Sequence, residues 1–183
     1  MTGGRGIENP ANKFATAQAV LSLAFRLRAE VNSGRLTKEL FQQEVVVNTG
    51  STGIIVPSFP EGTHQDLIDG IENISLIALS ASALTADETL DEVYGSLTNE
   101  TDTNRKGLRV MVNQLRNAFA HNPWRPRWQI FPKYRGAYPI TLSDGSFFKF
   151  DSQTLDGEPI KPEDVGGMEF WVKLLQHCER EVA

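Results

Sequence analysis

The chain has 183 residues but one cysteine, Cys178, and three histidines, His64, His121 and His177. A lone thiol excludes an intramolecular disulfide framework and fits a reducing cytoplasm, where the protein is expected to reside. The histidines are scattered, and adjacent His177 and Cys178 cannot share a helical face, so neither a metal nor any other cofactor is expected. Gly166-Gly167 lacks the strand-loop-helix setting and the lysine of a phosphate-binding loop. No Ser-His-Asp or Cys-His arrangement can be argued, since Cys178 falls near the chain end without a suitable setting. Long hydrophobic runs are also missing: Ile74 to Leu84 is far short of a membrane span and carries three serines. The apolar stretch Ala19 to Phe25 is cut off by Arg26 and Arg28 where a signal peptide would need small residues, and no membrane partner is expected.

Acidic residues are absent from one window. The formal net charge is −5, yet Thr103 to Ser143 contains no Asp or Glu and holds Arg105, Lys106, Arg109, Arg116, Arg125, Arg127, Lys133 and Arg135. That window therefore carries +8 and the remainder −13. Such segregation creates a local field able to attract a polyanion despite the overall sign. A solvated face plus a cationic hairpin is the plainer account of the same charges.

An apolar fraction of 40% with 22% charged residues is ordinary for a globular chain with one sizeable core. Residues 1–183 are expected to form a single domain, mainly α: an antiparallel helical core over 10–122, then a small β-hairpin or sheet and a final helix over 123–183. Met1 to Gly6 reads as a ragged start. Phe14, Ala17, Leu21 and Ala24 lie at helical spacing, and Asn32-Ser33-Gly34 ends that helix. A second helix is expected after Thr37, then a loop over Asn48 to Gly53 and an extended segment from Ile54 to Pro60. Thr63-x-x-Asp66 opens the longest helix, which should break at Thr85, where Thr85-x-x-Glu88 begins a short helix to Tyr94. Asp102 or Thr103 caps the next, whose core face is Leu108, Met111, Val112, Leu115 and Phe119. Trp128 to Phe131, Tyr138 to Leu142 and Phe147 to Phe150 read as extended, with Asp144-Gly145 as a hairpin turn. The last helix is expected from Pro162 to Arg180.

The end of the Asp102-capped helix carries the chemistry: Leu115-Arg116-Asn117-Ala118-Phe119-Ala120-His121-Asn122-Pro123. An arginine and a histidine about one turn apart can grip a phosphate and move a proton beside it. In a continuous helix Arg116 and His121 would point about 140° apart and lie roughly 7.5 Å apart along the axis. Pro123 disfavours helical geometry at Asn122, so His121 is expected in a frayed last turn, able to swing toward Arg116. Arg105, Arg109 and Arg116 fall on one side of the helix. The plainer readings are an Arg116 binding a carboxylate of a neighbouring helix, and a His121 contacting the last carbonyls.

Arg116-Asn117-Ala118-Phe119-Ala120-His121 resembles the R-N-x-x-x-H signature of HEPN domains, and the apolar helices before it look like the HEPN bundle. The resemblance covers about Asn12 to Pro123. It implies a homodimer in which two such motifs face one another across a cleft. Many relatives are metal-independent ribonucleases, often toxins or antiviral effectors, and others are inactive modules that bind RNA or a protein. By position, Arg116 and His121 would be the active pair, with Asn117 orienting His121 or the phosphate. Some members carry a tyrosine two residues after the histidine, where this chain has Pro123. RNA transesterification needs a base for the 2′-hydroxyl proton and an acid for the leaving 5′-oxygen. Two His121 side chains across a twofold axis could divide that work, with both Arg116 guanidiniums on the phosphorane.

The expected function is thus a HEPN-type endoribonuclease or RNA-directed effector in a toxin or defence setting, with RNA, a second copy and an antitoxin or other protein as partners. The alternative is an inactive HEPN module binding RNA, a nucleotide or a protein. A third reading is a purely structural helical dimer. Arg105, Arg109, Arg125, Arg127 and Trp124 are the expected RNA contacts. Trp124, Trp128, Phe131 and Tyr134, interleaved with basic residues, could stack bases. The favoured reading of both tryptophans is an anchor for the Pro-rich loop.

Overall fold

In a computed structural model, residues 9–48, 50 and 53–183 are described. Met1 to Gly6, and residues 49, 51 and 52 of the expected Asn48–Gly53 loop, lie outside them. The described residues form four α-helices, α1 (Pro10–Asn32), α2 (His64–Tyr94), α3 (Thr103–His121) and α4 (Gly167–Glu181). Two antiparallel two-stranded sheets accompany them, β1 (Val45–Asn48) with β2 (Gly53–Val56), and β3 (Ala137–Thr141) with β4 (Phe147–Asp151). Mainly helical with small β elements is therefore the observed class. The described residues divide into two compact units, one made of those up to residue 21 together with 76–183 and the other of those between residues 22 and 75.

In the larger unit α3 is the central element. The Asp102 side chain accepts the Arg105 N–H at 2.7 Å, satisfying one of the donors a helix start leaves open. Leu108, Met111, Val112, Leu115 and Phe119 are all buried, as their spacing predicts, and so are Val110 and Ala118. Phe14, Leu21, Leu90, Trp128, Ile140, Phe150, Trp171 and Leu174 complete this core. Gly107 marks a close approach, because a Cβ there would lie 3.1 Å from the Pro139 carbonyl oxygen and 3.2 Å from the Tyr138 Cβ. The hairpin pairs Tyr138 with Phe150 and Ile140 with Phe148 and turns at Gly145, whose φ of +84° glycine adopts without strain. α4 buries Phe170, Trp171, Leu174, Leu175 and Cys178.

Three local expectations are corrected. α2 runs unbroken through Thr85, because Ala83, Ala86 and Leu90 continue its buried face and Thr85 has no role as a cap. Trp128 to Phe131 is not a strand: a single bridge joins Arg127 to Pro159, and Pro132–Tyr134 forms a 3-10 turn. The last segment starts as a 3-10 turn over Pro162–Val165 before Gly166 (φ +81°) redirects it into α4.

In the smaller unit α1 ends at Asn32, with Gly34 at φ +70°. Thr63 and Asp66 realise the reciprocal cap at the start of α2: the Thr63 N–H donates to Asp66 Oδ2 (2.7 Å) and the Asp66 N–H to Thr63 Oγ1 (3.1 Å). Val31, Leu67 and Ile71 form its core, with Leu27, Leu36, Phe41 and Ile68 packed against them. The helix expected after Thr37 is only a 3-10 turn, Lys38–Phe41. Val45-Val46-Val47 is too β-branched to extend it and forms β1 instead. Among the described residues, α2 alone is long and apolar enough to cross a membrane by length and composition. Within it Ser82 is fully buried and its hydroxyl accepts the indole N–H of Trp171 at 3.0 Å.

Candidate active site

α3 presents a polar edge to the last turns of α2. Arg109, Asn113, Arg116 and Asn117 recur at helical spacing along it, and Asp87 and Asp91 recur at i, i+4 on α2. The two series interlock as an ion-pair and amide ladder. Arg109 meets Asp91, the Gly95 carbonyl and Glu100. Asn113 donates to both Asp87 oxygens at 3.1 and 3.2 Å. The Arg116 Nε lies 3.9 Å from Asp87 Oδ2.

Arg116 is therefore held from two sides. One of its terminal nitrogens donates to Asn117 Oδ1 (2.9 Å), and the Asn117 amide donates in turn to Asn113 Oδ1 (3.2 Å). Buried Gln114 donates to the same Asn113 oxygen (2.9 Å), while its own carbonyl oxygen accepts the Phe131 N–H (3.1 Å). Within the chain Asn117 thus bridges Arg116 and Asn113. The Arg116 Nε is enclosed and makes no hydrogen bond. The side chain as a whole is 40% exposed. Burial pushes the Asp87 carboxyl up from the usual range, against its Asn113 bonds.

Arg116 and Asn117 line a cleft of about 480 Å³ with Asn113, Phe131, Lys133 and Tyr134. Phe131 is half exposed, and the Lys133 ammonium stands 4.7 Å from the Tyr134 ring centre. The cleft offers two cations, amide donors and an aromatic face, and the half-exposed Asp91 carboxylate also lines it. His121 does not line it. α3 remains helical through His121, and the break comes at Asn122 (φ −154°, ψ 97°) instead of a frayed turn before it. The side chain of Asn122 accepts the N–H groups of Trp124 and Arg125, which ends the helix in a defined turn. His121 is exposed, so within one chain the imidazole and guanidinium stay on different sides of the helix.

The remaining expected RNA contacts divide. Trp124 is 56% exposed and Arg125 is exposed beside it. Arg127 is exposed and donates to the Gly157 carbonyl. Arg105 is spent on Glu100, at 2.7 and 3.0 Å, and lies 4.2 Å over the Tyr94 ring. Arg109 is 2% exposed and enclosed by its ion pairs, which leaves no surface for a phosphate. Arg105, Arg109 and Arg116 do share a side of α3, but that side faces carboxylates, so much of the basic window is neutralised within the fold. Among the described residues Arg125, Arg127 and Lys133 meet no carboxylate. Trp128 is the loop anchor, fully buried with its indole N–H on Asp164 (2.9 Å); Trp124 is not.

Asp87, Asn113 and Gln114 were missed from the site by sequence reasoning. The i, i+4 acids facing an Arg-Asn-Arg series were the available signal, masked by reading Thr85 as a helix start. The chain matches no known family model, no curated protein and no solved structure.

Proposed function

We propose that the protein is a metal-independent endoribonuclease of HEPN type, a cytoplasmic homodimer acting in a toxin or defence setting. The observation that carries this reading is Arg116, oriented by Asn117 and Asp87 on the wall of a cleft shared with Lys133 and Phe131. Two cations beside an aromatic face suit a phosphodiester and an unstacked base. The proton steps fall to His121, exposed at the end of the same helix. Because one chain does not bring His121 into the Arg116 cleft, the reading assigns the acid and the base to two copies. Each His121 moves one proton, at the 2′-hydroxyl or the 5′-oxygen, and each Arg116 steadies the charged phosphorane. Trp124 and Arg125, exposed just beyond His121, would hold the flanking nucleotides.

The position of His121 outside the cleft also favours a second reading, an inactive HEPN module that binds RNA or a protein partner. Incubation of the purified chain with RNA separates them. The first expects products ending in 2′,3′-cyclic phosphate, undiminished by EDTA, with DNA untouched. Arg116→Ala and His121→Ala should each abolish cleavage and any growth toxicity, while His121→Ala still binds RNA. RNA retained without cleavage supports the module, while neither binding nor cleavage sinks the nuclease and the RNA-binding form of the module.

A further inference from the structure

The β1–β2 hairpin is the most apolar exposed element of the smaller unit. Its register pairs Val45 with Val56, Val46 with Ile55 and Val47 with Ile54. Side chains alternate across a strand, so Val45, Val47, Ile54 and Val56 share one face and Val46 and Ile55 the other. All six are 45–61% exposed. The four-residue face continues into a groove of about 290 Å³ lined by Val45, Val56, Leu40 and Phe59, and the last two are themselves half exposed. No residue from Val45 to Pro60 is charged, so the edge strands lack the lysines and inward charges that ordinarily protect such edges.

A two-stranded ribbon with both faces in water is marginal by itself. We propose that the Val45/Val47/Ile54/Val56 face is a homodimer interface, packed on its own twofold copy. With Leu40 and Phe59 the patch presents about 500 Å² per copy, near the upper limit for a monomer surface. Two copies face to face would bury about 1,000 Å², the threshold of a specific interface. An uncharged patch is complementary to itself without charge matching, which a twofold axis requires. A lipid surface fits less well, because the charges flanking the hairpin in sequence, Glu44 and Glu61, are acidic, and the adjoining 3-10 turn adds a single lysine, Lys38, beside Glu39. The inference does not rest on the nuclease reading, whose twofold contact is at the α3 motif; only association that responds to the hairpin face, and not to α3, counts for it.

Sedimentation velocity on the full chain tests it. The wild type should be a dimer, and Val47→Lys/Ile54→Lys should raise the dissociation constant by about 100-fold or more, since it buries unpaired ammonium groups. Val46→Lys/Ile55→Lys, on the opposite face, should leave the dimer intact. If the first variant fails to fold, cysteine trapping decides: the native thiol is buried, so Ile54→Cys should be cross-linked by a short bis-maleimide and Ile55→Cys should not. A monomeric wild type overturns the proposal, as does a dimer indifferent to Val47→Lys/Ile54→Lys, or a monomer that co-sediments with phosphatidylcholine–phosphatidylglycerol vesicles. Loss of RNA cleavage in an intact dimer would count against the nuclease reading alone.

Discussion

Replacing Glu100 by Gln removes one negative charge from the centre of the ladder that holds α3. The Glu100 side chain is 3% exposed and accepts from Arg105 at 2.7 and 3.0 Å, from Arg109 at 3.1 Å and from the Asp102 N–H at 3.1 Å. The Arg105 hydrogen bonds are the main reason its carboxyl is held down to about 2, against an ordinary 4.5. A displacement of that size corresponds to about 3 kcal/mol. Breaking a buried ion pair by deleting one partner typically costs 3–5 kcal/mol, because the surviving charge stays buried. Here the survivor is Arg109, 2% exposed and left with the Gly95 carbonyl and a half-exposed Asp91. Glu100→Gln should therefore lose about 3 kcal/mol at pH 7, a large part of an ordinary domain's stability.

Urea denaturation followed by tryptophan fluorescence measures the loss, with an unchanged dependence on urea expected. The folded carboxyl titrates below the unfolded one, so its contribution is complete above pH 4.5 and is lost as pH falls through 4.5 toward 2. The gap between wild type and variant should close over that window, since a protonated Glu100 resembles glutamine. A loss below about 1 kcal/mol at pH 7, or a gap that persists at pH 2, would refute the ladder as a source of stability.

Asp87→Asn should change stability by no more than about 1 kcal/mol at pH 7, since burial opposes the charge that Asn113 and Arg116 favour. The folded Asp87 carboxyl titrates above its ordinary 3.8, so any gain from the substitution should appear as pH rises past that value and vanish below it. Chemical denaturation across pH 3 to 8 checks this, and a loss of several kcal/mol at neutral pH would contradict it. Cys178 is buried with its thiol pushed up by burial, so it should resist alkylation by iodoacetamide in the native state and react fully in urea. Rapid native modification, followed by intact-mass measurement, would show that α4 opens more readily than its packing implies.

Short-range rules carried far in this chain. The 3.6-residue spacing of Leu108, Met111, Val112, Leu115 and Phe119, the caps at Asp102 and Thr63, and the Asp144-Gly145 turn are decided by neighbours a few residues away. Each appears in the structure as spacing and local hydrogen bonding demand. The local rules failed where two of them competed. Thr85-x-x-Glu88 has the composition of a cap, but the apolar series on either side outweighs it, because burial of Ala83, Ala86 and Leu90 exceeds the worth of one cap. Val45 to Val47 lacks the length to announce a strand until Ile54 to Val56 pairs with it.

By itself the sequence determined a mainly helical chain, the helix on which Arg116 and His121 ride, and a basic window within an acidic protein. Which of those cations are free was settled only by the tertiary structure. Carboxylates distant in sequence, Asp87, Asp91 and Glu100, return to the same helix face and neutralise Arg109, engage Arg105 and steady Arg116. Charge counting along a chain cannot anticipate that outcome, because ion pairing depends on separations of a few ångströms in space. His121 stands outside the Arg116 cleft for a related reason: α3 holds its helical geometry to its final residue.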